Sequence, residues 1–196
     1  MPSDALDDWT NTRLSALSSL DTIHGQVTKN RPGRQWNTRH YNLGLFTALA
    51  SQFQGYCRDL HDEAAVRVVD SLAANGVGPQ IPIILTALTS NRKLDRGNAN
   101  PGNLGDDFGK LGIQLWPELK QRYPTKAPKW QKTLTNLNEL RNGIAHSDIA
   151  KIDKVEHDHP LTLKTWRTWK SSVNTAATSM DAVLEAYLVA LTGTGW

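Results

Sequence analysis

The chain has 196 residues, 39% hydrophobic and 21% charged, with a formal net charge of +3, a balance that suits one domain with a real core and excludes disorder over the whole length. Its single cysteine, Cys57, excludes an intramolecular disulfide and is read as a buried hydrophobe among Phe53, Tyr56 and Leu60. No stretch approaches the roughly 20 apolar residues of a membrane span, and the N-terminus (Ser3, Asp4, Asp7, Asp8) lacks a signal-peptide pattern, so a cytoplasmic protein is expected.

Leu6, Trp9, Leu17, Leu20 and Ile23 recur at helical spacing, which predicts a first helix over residues 4–24 with Ser3 and Asp4 available as its cap. Lys29-Asn30-Arg31-Pro32-Gly33-Arg34 then breaks the pattern as a basic loop, and Trp36, Arg39, His40 and Tyr41 follow. Cations interleaved with rings suit a nucleic-acid surface, with Arg34 and Arg39 as candidate phosphate contacts; a solvated loop held by one tryptophan accounts for the same residues.

From residue 42 to about 74, Leu45, Leu49, Phe53, Tyr56, Leu60, Ala64, Val68 and Leu72 form one stripe of a long core helix. Glycine and then proline end it over residues 75–79. Gly76 and Gly78 do not make a phosphate loop, because neither a preceding strand nor a Gly-Lys-Ser/Thr ending is present. Ile81, Ile83, Ile84, Leu85 and Leu88, with Pro82 in the first turn, predict a buried helix. Residues 97–106, rich in Gly and Asn around Pro101, read as one long exposed loop that is functional or mobile. Asp106 and Asp107 at its end lack the supporting ligands that a metal site needs.

Pro117, Pro124 and Pro128 predict a short helix followed by an extended connection. Between Glu118 and Glu139 there is no acidic residue, against Lys120, Arg122, Lys126, Lys129 and Lys132, with Tyr123 and Trp130 among them. Such a window can neutralise RNA phosphates and is expected to form a positive approach to the segment that follows; a linker with solubilising lysines is the other reading.

That segment is Leu140-Arg141-Asn142-Gly143-Ile144-Ala145-His146-Ser147-Asp148, at the end of a helix carrying Leu134, Leu137 and Leu140. Arginine keeps its charge at any working pH and histidine titrates near neutrality, so the pair joins a phosphate clamp to a proton-transfer group. On an unbroken helix, positions five apart lie roughly 140° apart. Gly143 is therefore expected to end or bend the helix, with Asn142 capping the turn, so that Arg141 and His146 converge there or meet across a two-fold interface. Arg-Asn-Gly is also an ordinary helix ending, with His146 packed under Ile144.

Beyond it, Ser147 and Asp148 can cap a short turn, and His157-Asp158-His159-Pro160 reads as a loop. His157 and His159 would bind a metal only with a third ligand such as His61 or Glu63, so no metal or cofactor is expected. Trp166, Trp169, Val173, Ala176, Ala177, Met180, Leu184, Tyr187 and Leu188 predict a final core helix over residues 162–192, and two tryptophans beside Lys164, Arg167 and Lys170 are read as packing in preference to a stacking platform. Strand signals are few. The fold expected is all-α: an antiparallel helical bundle of about five main helices with one long loop, a single domain over residues 1–196, in which 1–37 form an N-terminal helix and basic loop and 38–192 the bundle core.

Arg141-Asn142, three further residues and His146 resemble the Arg-x4-His signature of the HEPN superfamily, and the helical plan over residues 38–192 looks most like its RiboL-PSP-HEPN branch. The resemblance implies a small helical, metal-independent endoribonuclease with Arg141, Asn142 and His146 catalytic and its active site in a homodimer cleft. It further implies a place in toxin-antitoxin or phage-defence systems, beside a partner that restrains the enzyme. HEPN relatives also include non-catalytic dimerisation or RNA-binding scaffolds, the alternative for this chain.

Overall fold

Leu45, Leu49, Phe53, Tyr56, Leu60 and Ala64 are all buried along α3 (Arg39–Ala74), a 36-residue helix against which most of the others pack. The structure is a computed structural model and describes residues 1–29, 38–74, 76 and 78–196. Among the described residues every regular element is helical and none is long and apolar enough to cross a membrane.

The chain enters through α1 (Asp4–Asp8), a π-helical turn (Trp9–Arg13) and α2 (Leu14–Thr28). Ser3 caps α1 by accepting the Leu6 amide at 3.0 Å, and its own amide donates to the buried carboxylate of Asp181 at 3.2 Å. The widened turn shifts the helical phase by one residue, and Trp9 lies fully buried against Phe53 and Tyr56, its indole N–H donating to Asn174 Oδ1 at 2.9 Å. Gly55 of α3 leaves room for Arg13, whose Nη1 would lie 2.2 Å from any Cβ placed there.

The last helix, α10 (Leu163–Thr192), buries the stripe expected of it, including Trp166 and Trp169. Trp166 donates to the Leu45 carbonyl at 2.9 Å and Tyr56 donates to the Ala177 carbonyl at 2.8 Å. Residue numbers rise together along this contact, so α3 and α10 run parallel, whereas α2 opposes α10, with Ser18 3.5 Å from Lys170 and Asp21 2.8 Å from Arg167. The bundle is therefore mixed in direction, not wholly antiparallel, because the long excursion between α3 and α10 carries the chain back to its starting end.

That excursion contains α4 (Ile81–Thr89), α5 (Lys93–Arg96), α6 (Pro101–Gly109), α7 (Leu115–Arg122), α8 (Ala127–Ala145) and α9 (Ile149–Asp158). Before α8, expectation fails at three places. α4 is a helix but none of its residues is buried, and Ile83 is 71% exposed, because it packs on α3 from one side only. The expected long loop is mostly α6: Asn100 accepts the Asn103 amide at 2.9 Å as its cap, and Pro101 fills the first turn where a missing N–H costs nothing. Between α7 and α8 the chain makes a tight turn, not an extended connection, with the Lys126 and Ala127 amides both donating to the Tyr123 carbonyl at 3.1 and 2.9 Å.

A buried polar cluster fixes α5 and α6 to α3. Asp107 accepts the Lys93 and Leu94 amides at 2.9 and 2.7 Å, so it starts α5. His61 is fully buried, with Nε2 3.0 Å from the Asp107 carbonyl and Nδ1 3.3 Å from Arg92 Nη1, while Arg92 also pairs with Asp62 and Asp95. Burial holds the His61 pKa below its usual value, helped by the Arg92 charge and opposed by the Asp107 carbonyl. A histidine harder to protonate when folded than when unfolded makes stability fall as pH drops below the unfolded value of about 6.5. Thermal melts of wild type should therefore lose stability between pH 7 and pH 5, and His61→Gln should be less stable at pH 7 but less sensitive to that change. Parallel melting curves across this range would exclude the assignment.

Candidate functional site

Leu134, Leu137 and Leu140 are fully buried, which turns the next residues of α8 toward the surface at its C-terminal end. The helix neither bends nor ends at Gly143. It runs unbroken to Ala145, with His146 as the C-cap. Asp148 N–H donates to the Gly143 carbonyl at 2.8 Å and Ser147 N–H to the Ile144 carbonyl at 3.3 Å, the paired bonds of a Schellman ending, in which Ser147 takes the left-handed position at φ 54°. The carboxylate of Asp148 then accepts the Lys151 amide at 3.2 Å and starts α9, so the expected short turn is a ten-residue helix. Gly143 serves this corner in another way: a Cβ there would sit 3.0 Å from Ile152 Cγ1 and 3.2 Å from Lys151 Cβ. It is glycine so that α9 can lie close against α8.

Serine at a positive φ is strained by about 1–2 kcal/mol, and glycine relieves this at an entropic cost of about 0.5–1 kcal/mol. Ser147→Gly should thus raise the melting temperature by roughly 1–4 °C; an unchanged or lowered value would show that the serine contributes something its hydrogen bonds do not reveal.

His146 is exposed, not packed under Ile144, and its imidazole has no hydrogen-bond partner among the described residues. Arg141 is half-buried and pairs with no carboxylate among the described residues; its Nη1 donates only to Asn142 Oδ1, at 3.5 Å. Because the helix is continuous, Arg141 and His146 leave it in different directions and share no hydrogen bond within one chain. Asn142 does not cap the turn. Its Oδ1 also accepts from Asn98 Nδ2 at 2.6 Å, which holds the amide toward Arg141.

Asn98 was hidden in the segment expected to be an exposed loop. Asn98 and Ala99 are only 5% and 1% exposed. Asn138 on α8 donates to the Ala99 carbonyl at 3.1 Å, Asn103 donates to the Asn98 carbonyl at 2.7 Å, and Gln54 of α3 donates to the Gly97 carbonyl at 2.6 Å. The richness in asparagine was visible in the sequence; that its amides pair with α8 was not. The Asn98 Oδ1 atom is buried and has no partner of its own among the described residues.

The candidate RNA contacts lie elsewhere. Lys120, Arg122, Lys126, Lys129 and Lys132 are all exposed, grouped at the end of α7 and the start of α8, so they sit at the opposite end of α8 from Arg141 and do not adjoin it. Arg122 lies beside the Tyr123 ring and borders a groove of about 480 Å³ between α7 and α10. Arg39 is tied to Glu156 at 2.8 Å, with Asp153 at 3.8 Å, and is a brace between α3 and α9 in place of a free phosphate contact. Arg34 falls outside the described residues.

His157 is exposed beside Asp158, whereas His159 faces Asn136 at 2.9 Å and the Trp169 ring. Among the described residues no three His, Cys, Asp or Glu side chains gather as a metal-binding group. Cys57 is fully buried, and burial pushes its thiol pKa well up. Comparison of the chain with protein-family models, curated proteins and solved structures finds no match, so a functional conclusion must stand on the residues themselves.

Proposed function

We propose that the protein is a metal-independent endoribonuclease of the HEPN kind, working on RNA in the cytoplasm. One observation carries this: among the described residues His146, an exposed imidazole at a helix end, has no hydrogen-bond partner, and Arg141, five residues before it, is a guanidinium paired with no carboxylate. RNA supplies its own nucleophile, so the protein need only move protons, offset charge and place groups in line. His146 takes the proton of the 2′-hydroxyl as the 2′-oxygen bonds to phosphorus. The bond from phosphorus to the 5′-oxygen breaks, and that oxygen is protonated. Arg141 holds the phosphate oxygens, and Asn142, oriented by Asn98, gives the spare donors of its amide to the same group.

One chain offers one such histidine, and its arginine points another way. A second copy docked motif to motif would bring an Arg141 to the partner's imidazole and provide both acid and base. Ile149, 69% exposed beside the corner, gives that docking an apolar contact. A role as a toxin or phage-defence effector, with a partner that restrains it, belongs to the same proposal.

Incubation of the purified protein with RNA in chelator tests it. The expected products carry 2′,3′-cyclic phosphate and 5′-hydroxyl ends, and DNA is not cut because it lacks the attacking group. Intact RNA after prolonged incubation, or equal cutting of DNA, rejects the proposal.

A further inference from the structure

The two ends of α8 carry different charge. At the C-terminal end the lysines are neutralised, Lys151 by Asp148 at 3.2 Å and Lys154 by Glu139 at 2.7 Å, which leaves Arg141 to meet a phosphate. At the other end Lys120, Arg122, Lys126 and Lys129 are exposed and join no ion pair among the described residues. Affinity for RNA grows with the number of phosphates neutralised. One guanidinium holds RNA weakly, whereas four cations hold it well.

We infer that capture and cleavage are divided between the two ends of α8, so that the substrate is a single-stranded RNA long enough to reach from the Lys126 and Lys129 patch to Arg141. This rests on the ribonuclease proposal for its chemistry, but its geometry comes from the helix alone. α8 is unbroken from Ala127 to Ala145, and at about 1.5 Å per residue Arg141 lies roughly 18 Å along the axis from Lys129 and roughly 22 Å from Lys126. A stacked strand advances about 3.4 Å per nucleotide, so about five to seven nucleotides bridge the gap. Shorter RNAs occupy the patch or the motif, never both. Longer ones gain the second contact as an intramolecular event, with the increase in affinity that linkage brings.

The test uses fluorescence anisotropy with labelled 2′-O-methyl oligoribonucleotides of about 4, 8 and 12 nucleotides, which lack the attacking hydroxyl, a series chosen to straddle the helix-rise estimate. Binding should tighten at least tenfold between the shortest and the longest. Lys126→Glu with Lys129→Glu should remove most of that gain and flatten the salt dependence of the longest. Arg141→Ala should weaken the longest several-fold and the shortest much less. Lys126→Gln with Lys129→Gln, with thermal melts of each variant, guards against a folding defect in the charge reversal. Equal affinity at all lengths, or an Arg141→Ala effect of the same size on every oligonucleotide, overturns the inference. Unmodified RNAs of the same lengths separate it from the ribonuclease proposal. A length step in binding without cutting at any length rejects the nuclease and keeps the two-point grip, whereas equal kcat/KM on the shortest and longest RNAs keeps the nuclease and rejects the grip.

Discussion

Arg141→Ala and His146→Ala are each expected to lower RNA cleavage by roughly 10²- to 10⁴-fold, the usual contribution of a positioned proton-transfer group or charge clamp. The fold should barely register the histidine change. His146 is exposed and has no side-chain hydrogen bond among the described residues, and surface substitutions of this kind usually fall within about 0.5 kcal/mol. Arg141 is half-buried but releases only one long bond to Asn142, so its loss should also leave the melting temperature near that of wild type. Activity lost without stability is the signature sought. Asn142→Ala is a poorer probe, because it strands the buried Nδ2 of Asn98 at a cost of about 1–3 kcal/mol and confuses the two effects. Should His146→Ala cut RNA as fast as wild type, with product ends unchanged, the imidazole is not the proton carrier and the nuclease proposal falls.

Gly143→Val should lower stability by about 2–3 kcal/mol and the melting temperature by roughly 4–12 °C. A Cβ alone would stand 3.0 Å from Ile152 Cγ1 and 3.3 Å from the Asp148 carbonyl, and Ile152 is only 7% exposed, so it has little space to yield. Two further methyl groups must push α9 away from α8. Gly143→Ala is the informative contrast. It gains about 1 kcal/mol of helix propensity against a milder clash, and the two nearly cancel. A Gly143→Val protein as stable as wild type would show that the two helices pack more loosely than these distances imply. Cleavage should fall along with stability, since the same displacement swings the His146 corner.

The stripes of α3, α8 and α10 were legible in the sequence because burial alone sets them: Leu49, Phe53, Leu134, Leu137, Trp166 and Leu184 all recur at helical spacing and all lie inside. Periodicity failed where a residue served a neighbour that was distant in the chain. Gly143 looks the same in a sequence whether it ends a helix or admits another helix against its side, and only the proximity of Ile152 decides. Asn98 looked like solvent-facing loop chemistry because its partners, Asn142 and the Asn103 side chain, lie 44 and 5 positions away. The basic window adjoins the Arg141 segment in sequence but not in space, because an unbroken helix carries its two ends far apart. Arg39 shows the converse, since a cation in an acid-free window found its carboxylate on α9. Of the candidate site, residue types and exposure could be inferred, and mutual direction could not.

Asp148 does two tasks with two parts of one residue: its amide completes the ending of α8 and its carboxylate begins α9. No spare link separates the two helices, so the joint tolerates a change of side chain far better than a change of length. One additional residue inserted there would turn α9 by about 100° about its axis. The face that now meets Gly143 would be carried round to solvent, and charged positions would be driven inward. Grafting a tag or label at this apex would therefore dismantle the hairpin, even though the apex itself stands in the open.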